Sequence, residues 1–482
     1  MWKPLLAVCA LALAAAVPAH AGGPALSLGV AEDTVKVPDA VGATVKMRLL
    51  RLAGFQAVRI TSQWLPGQTA PPNDQLAMLR TVSGAAQLTG VRVYVSVYHP
   101  GSRTTPLTPE ARSEFTQYAA ALAQAVPGLD DLIVGNEPNL NRFWLPQFNP
   151  DGSNAAAPAY LALLTQAYDA IKAVDPGIRI WGGALAPRGA DRPNGSRHTH
   201  SPTKFIRDLG TAYRASGRLA PVMDGFAFHP YPDNSSQSPD TPHPNTTTIG
   251  LSDYGKLVAL LGEAFDGTAQ AGSELPILYD EFGIESRIPK GKAKHYNGNE
   301  PATTKPVPEA TQASYYQRGL ALAFCQPNVV GMLLFHSQDE AALLSWQSGV
   351  YYADGTPKSS LRAVRDALER ARGGSVARCD GLGLDVTPIT LRFPTQAEFS
   401  QGARDVRLRC SLDCVWELRA TLTDTGGTAA IRRGYGRAGV TLKPSLKGAS
   451  LGQGAFRLQL TLTHPVNPGL PAVRESAELT LP

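Results

Sequence analysis

The segment most informative about the fold is Leu132-Ile133-Val134-Gly135-Asn136-Glu137-Pro138-Asn139. A second stretch of the same form reads Leu275-Pro276-Ile277-Leu278-Tyr279-Asp280-Glu281-Phe282-Gly283. Each begins with a short apolar run, which is typical of a strand buried on both faces, and each ends at a carboxylate. Strands of this kind form parallel sheets that are covered by helices, and their carboxyl ends meet on one face.

Strand-like runs of this type alternate with amphipathic patterns over most of the chain. The strand candidates are residues 25–30, 57–61, 92–98, 132–134, 178–182, 225–229, 277–280 and 331–336. Helical patterns between them include residues 109–126, 158–174 and 311–324. Repeated β–α units with right-handed crossovers predict a parallel sheet, and eight of them predict a closed (β/α)8 TIM barrel of the α/β class. We place this barrel at residues 22–375.

The composition changes after Arg372-Gly373-Gly374. Short alternating runs at residues 406–410, 416–422, 440–442 and 456–462 are separated by Gly, Asp, Asn and Pro. A helical period is not visible here. Residues 380–482 are therefore predicted to form a small, antiparallel, all-β sandwich domain.

The N-terminus has the form of a secretory signal. Lys3 precedes an apolar run from Leu5 to Val17, and Ala19-His20-Ala21 is a small-x-small site, so we expect cleavage after Ala21 and a secreted, extracellular protein. A lipid anchor at Cys9 is the alternative. The apolar run is too short for a membrane span. The formal net charge of +5 is small over 482 residues and comes without a Lys/Arg run, which argues against nucleic-acid binding.

An even number of cysteines would remain after export. They are Cys325, Cys379, Cys410 and Cys414. In an oxidising compartment this favours disulfides, and Cys410 lies close enough in sequence to pair with Cys414, which would leave Cys325 for Cys379. Other pairings stay open, and a four-thiolate zinc site is the rival interpretation.

Two carboxylates delivered by strand ends to one face of a barrel are what glycosidic bond cleavage needs. We assign Glu137 as the general acid/base and Glu281 as the nucleophile of a retaining reaction, which requires neither a cofactor nor a metal. Asp280 is the local rival of Glu281. Strict alternation along an extended strand predicts that Asp280 points to the opposite face.

Several neighbouring residues suit supporting roles. Arg59 on the second strand could hold Glu281 ionised, and Asn136 could donate to a sugar hydroxyl. His229 and Tyr231 are two residues apart and share a face of an extended chain, so Tyr231 could donate to Glu281. The predicted substrate-binding residues are Arg59, His99, Asn136, His229, Tyr231 and Trp346. Trp64, Trp144 and Trp346 lie on or near predicted loops, where an indole could stack against a sugar face. Trp181 lies inside a strand and is expected to be structural.

With these residues in view, the barrel region resembles the retaining glycoside hydrolases of clan A, which include cellulase-like and xylosidase-like families. The matching motifs are Gly135-Asn136-Glu137-Pro138, His229-Pro230-Tyr231 and Asp280-Glu281-Phe282-Gly283, together with Arg59 and the tail Val350–Lys358. The resemblance implies that Asn136-Glu137 is the acid/base pair and that Glu281 is the nucleophile. It also implies a polysaccharide or oligosaccharide substrate.

One position departs from the clan pattern. The eighth strand of many clan members ends at a tryptophan beneath the reacting sugar, and here the segment reads Leu334-Phe335-His336-Ser337. We expect Trp346, from the following loop, to take that place. The main alternative is a carbohydrate-binding or cell-surface protein on a barrel that no longer turns over, and the intact glutamate pair argues against it. A weaker alternative is an adhesion module whose functional part is the sandwich.

Overall fold

The computed structural model describes residues 26–195, 197–372, 388–410, 414–436, 440–449, 451–463 and 473–481. The predicted signal peptide and Cys379 lie outside these residues. Among the described helices, none combines the length and the apolar character needed to cross a membrane.

Eight parallel strands form a closed barrel in sequence order, with the last strand paired to the first. They are β1 (Ser27–Ala31), β2 (Ala57–Gln63), β3 (Arg92–Tyr98), β4 (Asp131–Val134), β5 (Arg179–Leu185), β6 (Gly225–Phe228), β7 (Ile277–Phe282) and β8 (Val329–Phe335). Each overlaps the predicted strand at the same place. The (β/α)8 fold expected from the alternating pattern is therefore confirmed.

Helices follow the strands around the barrel. They are α1 (Ala40–Leu52), α2 (Asn73–Thr89), α3 (Pro109–Ala125), α4 (Ala156–Val174), α5 (Pro202–Ala215), α6 (Tyr254–Phe265), α7 (Glu309–Phe324) and α8 (Ser360–Arg372). The N-terminus of α3 shows the capping signals that start such a helix. Thr108 accepts a hydrogen bond from the amide of Ala111, and Pro109 fills the first helical position, where no amide hydrogen is needed.

The interior of the barrel is filled by side chains. Its members are Ala57, Tyr94, Ile133, Trp181, Ala184, Ala227, Leu278 and Leu333. The indole of Trp181 lies against Gly225, where a Cβ would be 2.3 Å from a ring carbon, so only glycine fits beside it. Its Nε1 donates to Asp131 Oδ1 at 2.9 Å. Trp181 is thus a packed and hydrogen-bonded core residue, as its place inside a strand predicts.

The C-terminal part contains two antiparallel sheets, in agreement with the predicted β-sandwich. Their strands are β9 (Pro388–Arg392), β10 (Arg407–Cys410), β11 (Cys414–Leu422), β12 (Thr428–Gly436), β13 (Thr441–Leu442), β14 (Gly454–Thr463) and β15 (Val473–Leu481). The sheet orders are β13-β10-β9 and β12-β11-β14-β15. One apolar cluster, with Leu408 from the first sheet and Leu418 and Leu458 from the second, joins them.

Two details of this part bear on the sequence predictions. A disulfide joins Cys410 to Cys414, as expected, and Cys325 is also disulfide-bonded. The expectation of no helical segment is wrong, because the short helix α9 (Gln396–Ser400) precedes β10. Thr395 and Glu398 cap its start reciprocally. That threonine-x-x-glutamate spacing is a recognisable helix signal in the sequence.

Candidate active site

The two glutamates lie at the carboxyl ends of β4 and β7. Both are therefore on the C-terminal face of the barrel, where the ends of all eight strands meet. The chain turns sharply after β4. Gly135 has a φ of 93° and Glu137 a φ of 42°, and the amide of Glu137 donates to the carbonyl of Ala184 at 2.8 Å. A left-handed glutamate is strained and persists only where its surroundings fix it. We infer that the surrounding structure fixes the position of the Glu137 carboxylate.

A single histidine nitrogen contacts both glutamates. His229 Nδ1 is 3.0 Å from Glu137 Oε1 and 3.5 Å from Glu281 Oε2, so these two oxygens are at most about 6.5 Å apart. The carboxyls of retaining glycosidases are separated by about 5–5.5 Å, and those of inverting enzymes by about 6.5–9.5 Å. The upper limit of about 6.5 Å on the separation of the Glu137 and Glu281 oxygens is compatible with the shorter spacing found in retaining enzymes.

Arg59 sits beneath the pair. Its Nη1 donates to Glu281 Oε1, and its Nη2 lies 3.2 Å from both Ser96 Oγ and Asn136 Oδ1. Burial alone would lower the pKa of Arg59, but the charges of Glu281 and Asp280 outweigh it and hold this pKa above the usual value. The guanidinium therefore remains charged. Because Asn136 accepts through its oxygen, its amide nitrogen is left to donate elsewhere.

Tyr231 contacts the other oxygen of Glu281. Its hydroxyl donates to Oε2 at 3.0 Å, whereas Arg59 binds Oε1. Burial, followed by the charges of Glu281 and Glu137, raises the pKa of Tyr231 well above its ordinary value, so the phenol stays neutral and acts as a donor. The two donors fix both oxygens of Glu281, in the positions predicted for Arg59 and Tyr231.

The predicted orientation of Asp280 is wrong. Asp280 is fully buried, and its Oδ2 is 3.3 Å from His229 Nε2 and 3.5 Å from Arg59 Nε. Leu278 faces the barrel interior, so Asp280, two residues later, faces inward as well. Glu281 reaches the same site because the pairing of β7 with β8 is irregular between Tyr279 and Phe282. The prediction that neighbouring residues point to opposite faces of the strand therefore fails for Asp280 and Glu281.

Tyr231, which binds Glu281, belongs to an aromatic cluster with Trp346 and Phe335. The ring of Trp346 is 4.9 Å from that of Tyr231 and 5.2 Å from that of Phe335. Trp346 is half-buried and comes from the loop after β8. It therefore lies beside Phe335, as expected from the missing tryptophan at the end of β8.

The structure does not bring every predicted residue into this group. The Nδ1 of His99 lies 2.9 Å from the carbonyl of Gly101, and its ring packs edge-on against Trp144. Burial lowers the pKa of His99, which keeps the ring neutral. Trp64 and Trp144 are buried, so the suggestion that they stack against a sugar is wrong.

Sequence reasoning missed Ser96 and misplaced Asp280. Ser96 is a buried hydroxyl in β3, and it faces Arg59 from between two valines. A single small polar residue inside a strand of otherwise large side chains was the available signal. Within the described ranges, His, Cys, Asp and Glu side chains form no group of three arranged to hold a metal ion.

Neither a protein-family profile nor a curated protein sequence matches this chain. Solved structures resemble it at low identity. A family 39 glycoside hydrolase from Bacteroides cellulosilyticus WH2 is 17% identical, with a TM-score of 0.49 over 88% of this chain and 81% of that one. GH5_18 from Streptomyces cattleya, in complex with GlcNAc, is 17% identical, with a TM-score of 0.49 over 72% and 80% of the two chains.

A longer protein also resembles the chain. It is the β-glucuronidase 2 of Bacteroides uniformis, which is 13% identical with a TM-score of 0.46. The match covers 95% of this chain and 45% of that one, so this chain spans less than half of the length of that enzyme. We base no inference about activity or substrate on likeness of this degree.

Proposed function

We propose that the protein is a retaining glycoside hydrolase that cleaves O-glycosidic bonds in polysaccharides or oligosaccharides through a covalent glycosyl-enzyme. The observation that carries this proposal is the contact of one histidine nitrogen with both Glu137 and Glu281. It keeps the two carboxyls near the spacing that double displacement requires.

In the first step, the protonated carboxyl of Glu137 gives its proton to the glycosidic oxygen. An oxygen of Glu281 attacks the anomeric carbon, the bond from that carbon to the leaving oxygen breaks, and the leaving sugar departs as an alcohol. Arg59 and Tyr231 hold the two oxygens of Glu281 in position until the attack.

In the second step, the Glu137 carboxylate accepts a proton from water. The water oxygen attacks the anomeric carbon, the ester bond to Glu281 breaks, and the second sugar is released. Both glutamates return to their starting protonation states, so the cycle is closed.

The same geometry suggests how the reacting sugar is held. The amide nitrogen of Asn136 is available to donate to a hydroxyl beside the anomeric carbon, because its oxygen is engaged by Arg59. Trp346 and Phe335 offer an apolar ring surface beside Tyr231, which binds Glu281, and such a surface suits the C–H face of a pyranose.

The cellular setting is part of the proposal. Residues 1–21 would direct export and then be cleaved off, leaving residues 22–375 as the catalytic unit and residues 380–482 as an accessory domain. N-terminal sequencing of protein from the culture medium tests the cleavage after Ala21.

The decisive experiment is a screen of the mature protein on aryl glycosides and polysaccharides, beside Glu137→Ala and Glu281→Ala. We expect Glu281→Ala to reduce kcat to background and Glu137→Ala to reduce it by about 10²–10⁴-fold. Glu263→Ala, an exposed carboxylate of α6 paired with Arg207, is the matched control and should retain full activity.

Azide separates the two roles. With a dinitrophenyl glycoside, whose leaving group needs no proton, Glu137→Ala should form the glycosyl-enzyme, and azide should release it because an anion needs no general base. Recovery of rate in Glu137→Ala, but not in Glu281→Ala, with a glycosyl azide of retained configuration, is the expected result. A silent wild type that binds glycans as well as both variants do would instead favour a binding protein.

A further inference from the structure

Both ring nitrogens of His229 face carboxylate oxygens. Nδ1 faces Glu137 and Glu281 at 3.0 and 3.5 Å, and Nε2 faces Asp280 at 3.3 Å. A neutral imidazole has one N–H and one nitrogen lone pair. With these carboxylates ionised, either neutral tautomer would direct a lone pair at a carboxylate, whereas an imidazolium carries positive charge and an N–H toward both sides. When Glu137 is protonated, Nδ1 still faces the Glu281 carboxylate at 3.5 Å.

We propose that Asp280 is a positioning residue that keeps His229 doubly protonated, so that the Nδ1–H of His229 bridges Glu137 and Glu281. The role of this bridge in catalysis rests on the proposed function. The protonation state of His229 does not, because it follows from the contacts of the ring alone.

The burial of Asp280 supports this pairing. A fully buried carboxylate is stable only beside compensating charge. Arg59 approaches Asp280 at 3.5 Å but also binds Glu281, so it is shared between two anions. The imidazolium of His229 supplies the second positive charge that this arrangement needs.

The groups around the ring act in the same direction. The charged groups facing it are Glu137 after β4 and Asp280 and Glu281 on β7, and the neutral ring of Tyr231 lies 6.3 Å away. Arg59 on β2 contacts Asp280 at 3.5 Å. Burial would lower the pKa of His229, but Glu281 and Asp280 outweigh it and raise this pKa to about 10. Burial likewise opposes, without overcoming, the lowering of the Asp280 pKa by His229 and Arg59.

Nitrogen NMR of the ¹⁵N-histidine-labelled protein tests the state of the ring directly. The chain has nine histidines, and the signals of His229 are identified by their loss in His229→Gln. We expect both of its nitrogens to remain protonated from pH 6 to about pH 8.5. A neutral ring at pH 7.5 would overturn the proposal, since His229 would then supply no positive charge to Asp280.

Asp280→Asn tests the influence of Asp280. An asparagine amide can donate to Nε2, so His229 should become neutral at pH 7.5 while Nδ1–H still donates to Glu137. Loss of the cation should move both limbs of the pH profile of kcat/KM to higher pH and lower its maximum by about 10- to 100-fold. Unchanged His229 signals and an unmoved profile would show that Asp280 is only structural.

Asp131→Asn is the matched control. Asp131 is as deeply buried as Asp280, but it begins β4 at the other end of the barrel and pairs with Arg92. Its substitution should destabilise the fold without altering the His229 signals or the pH profile. Because the NMR measurement needs no substrate, it can succeed or fail independently of the glycosidase assignment.

Discussion

Glu281 is held by two donors that differ in kind. Arg59 supplies a permanent charge to one oxygen, and Tyr231 supplies a neutral hydroxyl to the other. A charged donor stabilises the ionised carboxylate strongly, whereas a neutral donor chiefly fixes its orientation. The two residues should therefore respond differently to substitution.

Tyr231→Phe removes only the hydroxyl. Since a hydrogen bond to a charged group contributes about 1.5–3 kcal/mol, we expect kcat/KM to fall by about 10- to 100-fold. The ring contact with Trp346 is retained, so KM should change less than kcat. Steady-state kinetics on an aryl glycoside measure both quantities.

The control for this substitution is Tyr213→Phe. Tyr213 is buried in α5, where its hydroxyl donates to the carbonyl of Ala220 at 2.8 Å. It should lose stability without losing kcat/KM. Equal losses of activity in both variants would mean that Tyr231 acts through general packing.

Single residues also show what the sequence could predict. Glu137, Glu281, Arg59 and Tyr231 were all recognisable, because each stands at a strand end next to a turn-forming glycine or proline or within an apolar run. The placement of both Asp280 and Glu281 at the site was not, since it depends on an irregular pairing between β7 and β8 that no local pattern reveals.

At the level of elements, the loop after β8 is fastened by buried charges. Lys358 Nζ donates to Ser286 Oγ and Asp339 Oδ1, each at 2.8 Å, and to the carbonyl of Gln347 at 3.0 Å. The backbone amide of Gln347 donates to Glu285 Oε2 at 3.2 Å. Gln347 follows Trp346 directly, so these contacts fix the position of the indole.

Glu285 makes this anchoring sensitive to pH. Burial raises the pKa of its carboxyl to about 7 from an ordinary value of 4.5. Between these values the folded state holds the proton more tightly than the unfolded chain does. The free energy of unfolding should therefore fall as the pH rises from about 4.5 to 7, by up to about 3 kcal/mol from this residue.

Glu285→Gln removes this titration but keeps an oxygen that can accept from Gln347. We expect its stability relative to wild type to increase between pH 5 and pH 8, as measured by urea unfolding at each pH. Glu110→Gln, an exposed glutamate at the start of α3, should show no such trend. A constant difference between Glu285→Gln and wild type would contradict the assignment.

The elements themselves were largely predictable, but their contacts were not. Eight apolar runs gave eight barrel strands, since each run is long enough to span the barrel and ends at turn-forming residues. In the C-terminal part, β9, β12 and β15 were not among the named runs. In β15, Arg474, Glu475 and Glu478 interrupt the apolar alternation. The place of Trp346 depends on Lys358 and Glu285, whose contacts no local pattern reveals.

On the scale of the whole molecule, all of the residues described at the site belong to the barrel. Deletion of residues 380–482 keeps Cys379, so it preserves this possible partner of Cys325. We expect the shortened protein to retain kcat/KM on a small aryl glycoside within about threefold. Polysaccharide binding is measured separately by affinity electrophoresis. Weaker binding by the shortened protein would show that the sandwich contributes to it.

Loss of all activity from a shortened protein that still folds, as judged by circular dichroism, would contradict an autonomous catalytic barrel. The sandwich was predictable as a class from its short alternating runs, since two packed sheets must bury one face of each strand. The alternation of apolar and polar residues reports only which side chains are buried, so it does not predict what the sandwich binds.

The bridge formed by His229 has a consequence for the electrostatics of turnover. In the proposed reaction, formation of the glycosyl-enzyme turns Glu281 into a neutral ester and Glu137 into an anion, and each residue has an oxygen within 3.5 Å of the same nitrogen. The negative charge thus passes from one side of a fixed cation to the other. The active site would complete its cycle at constant net charge, with no counterion drawn from the solvent to balance either half-reaction.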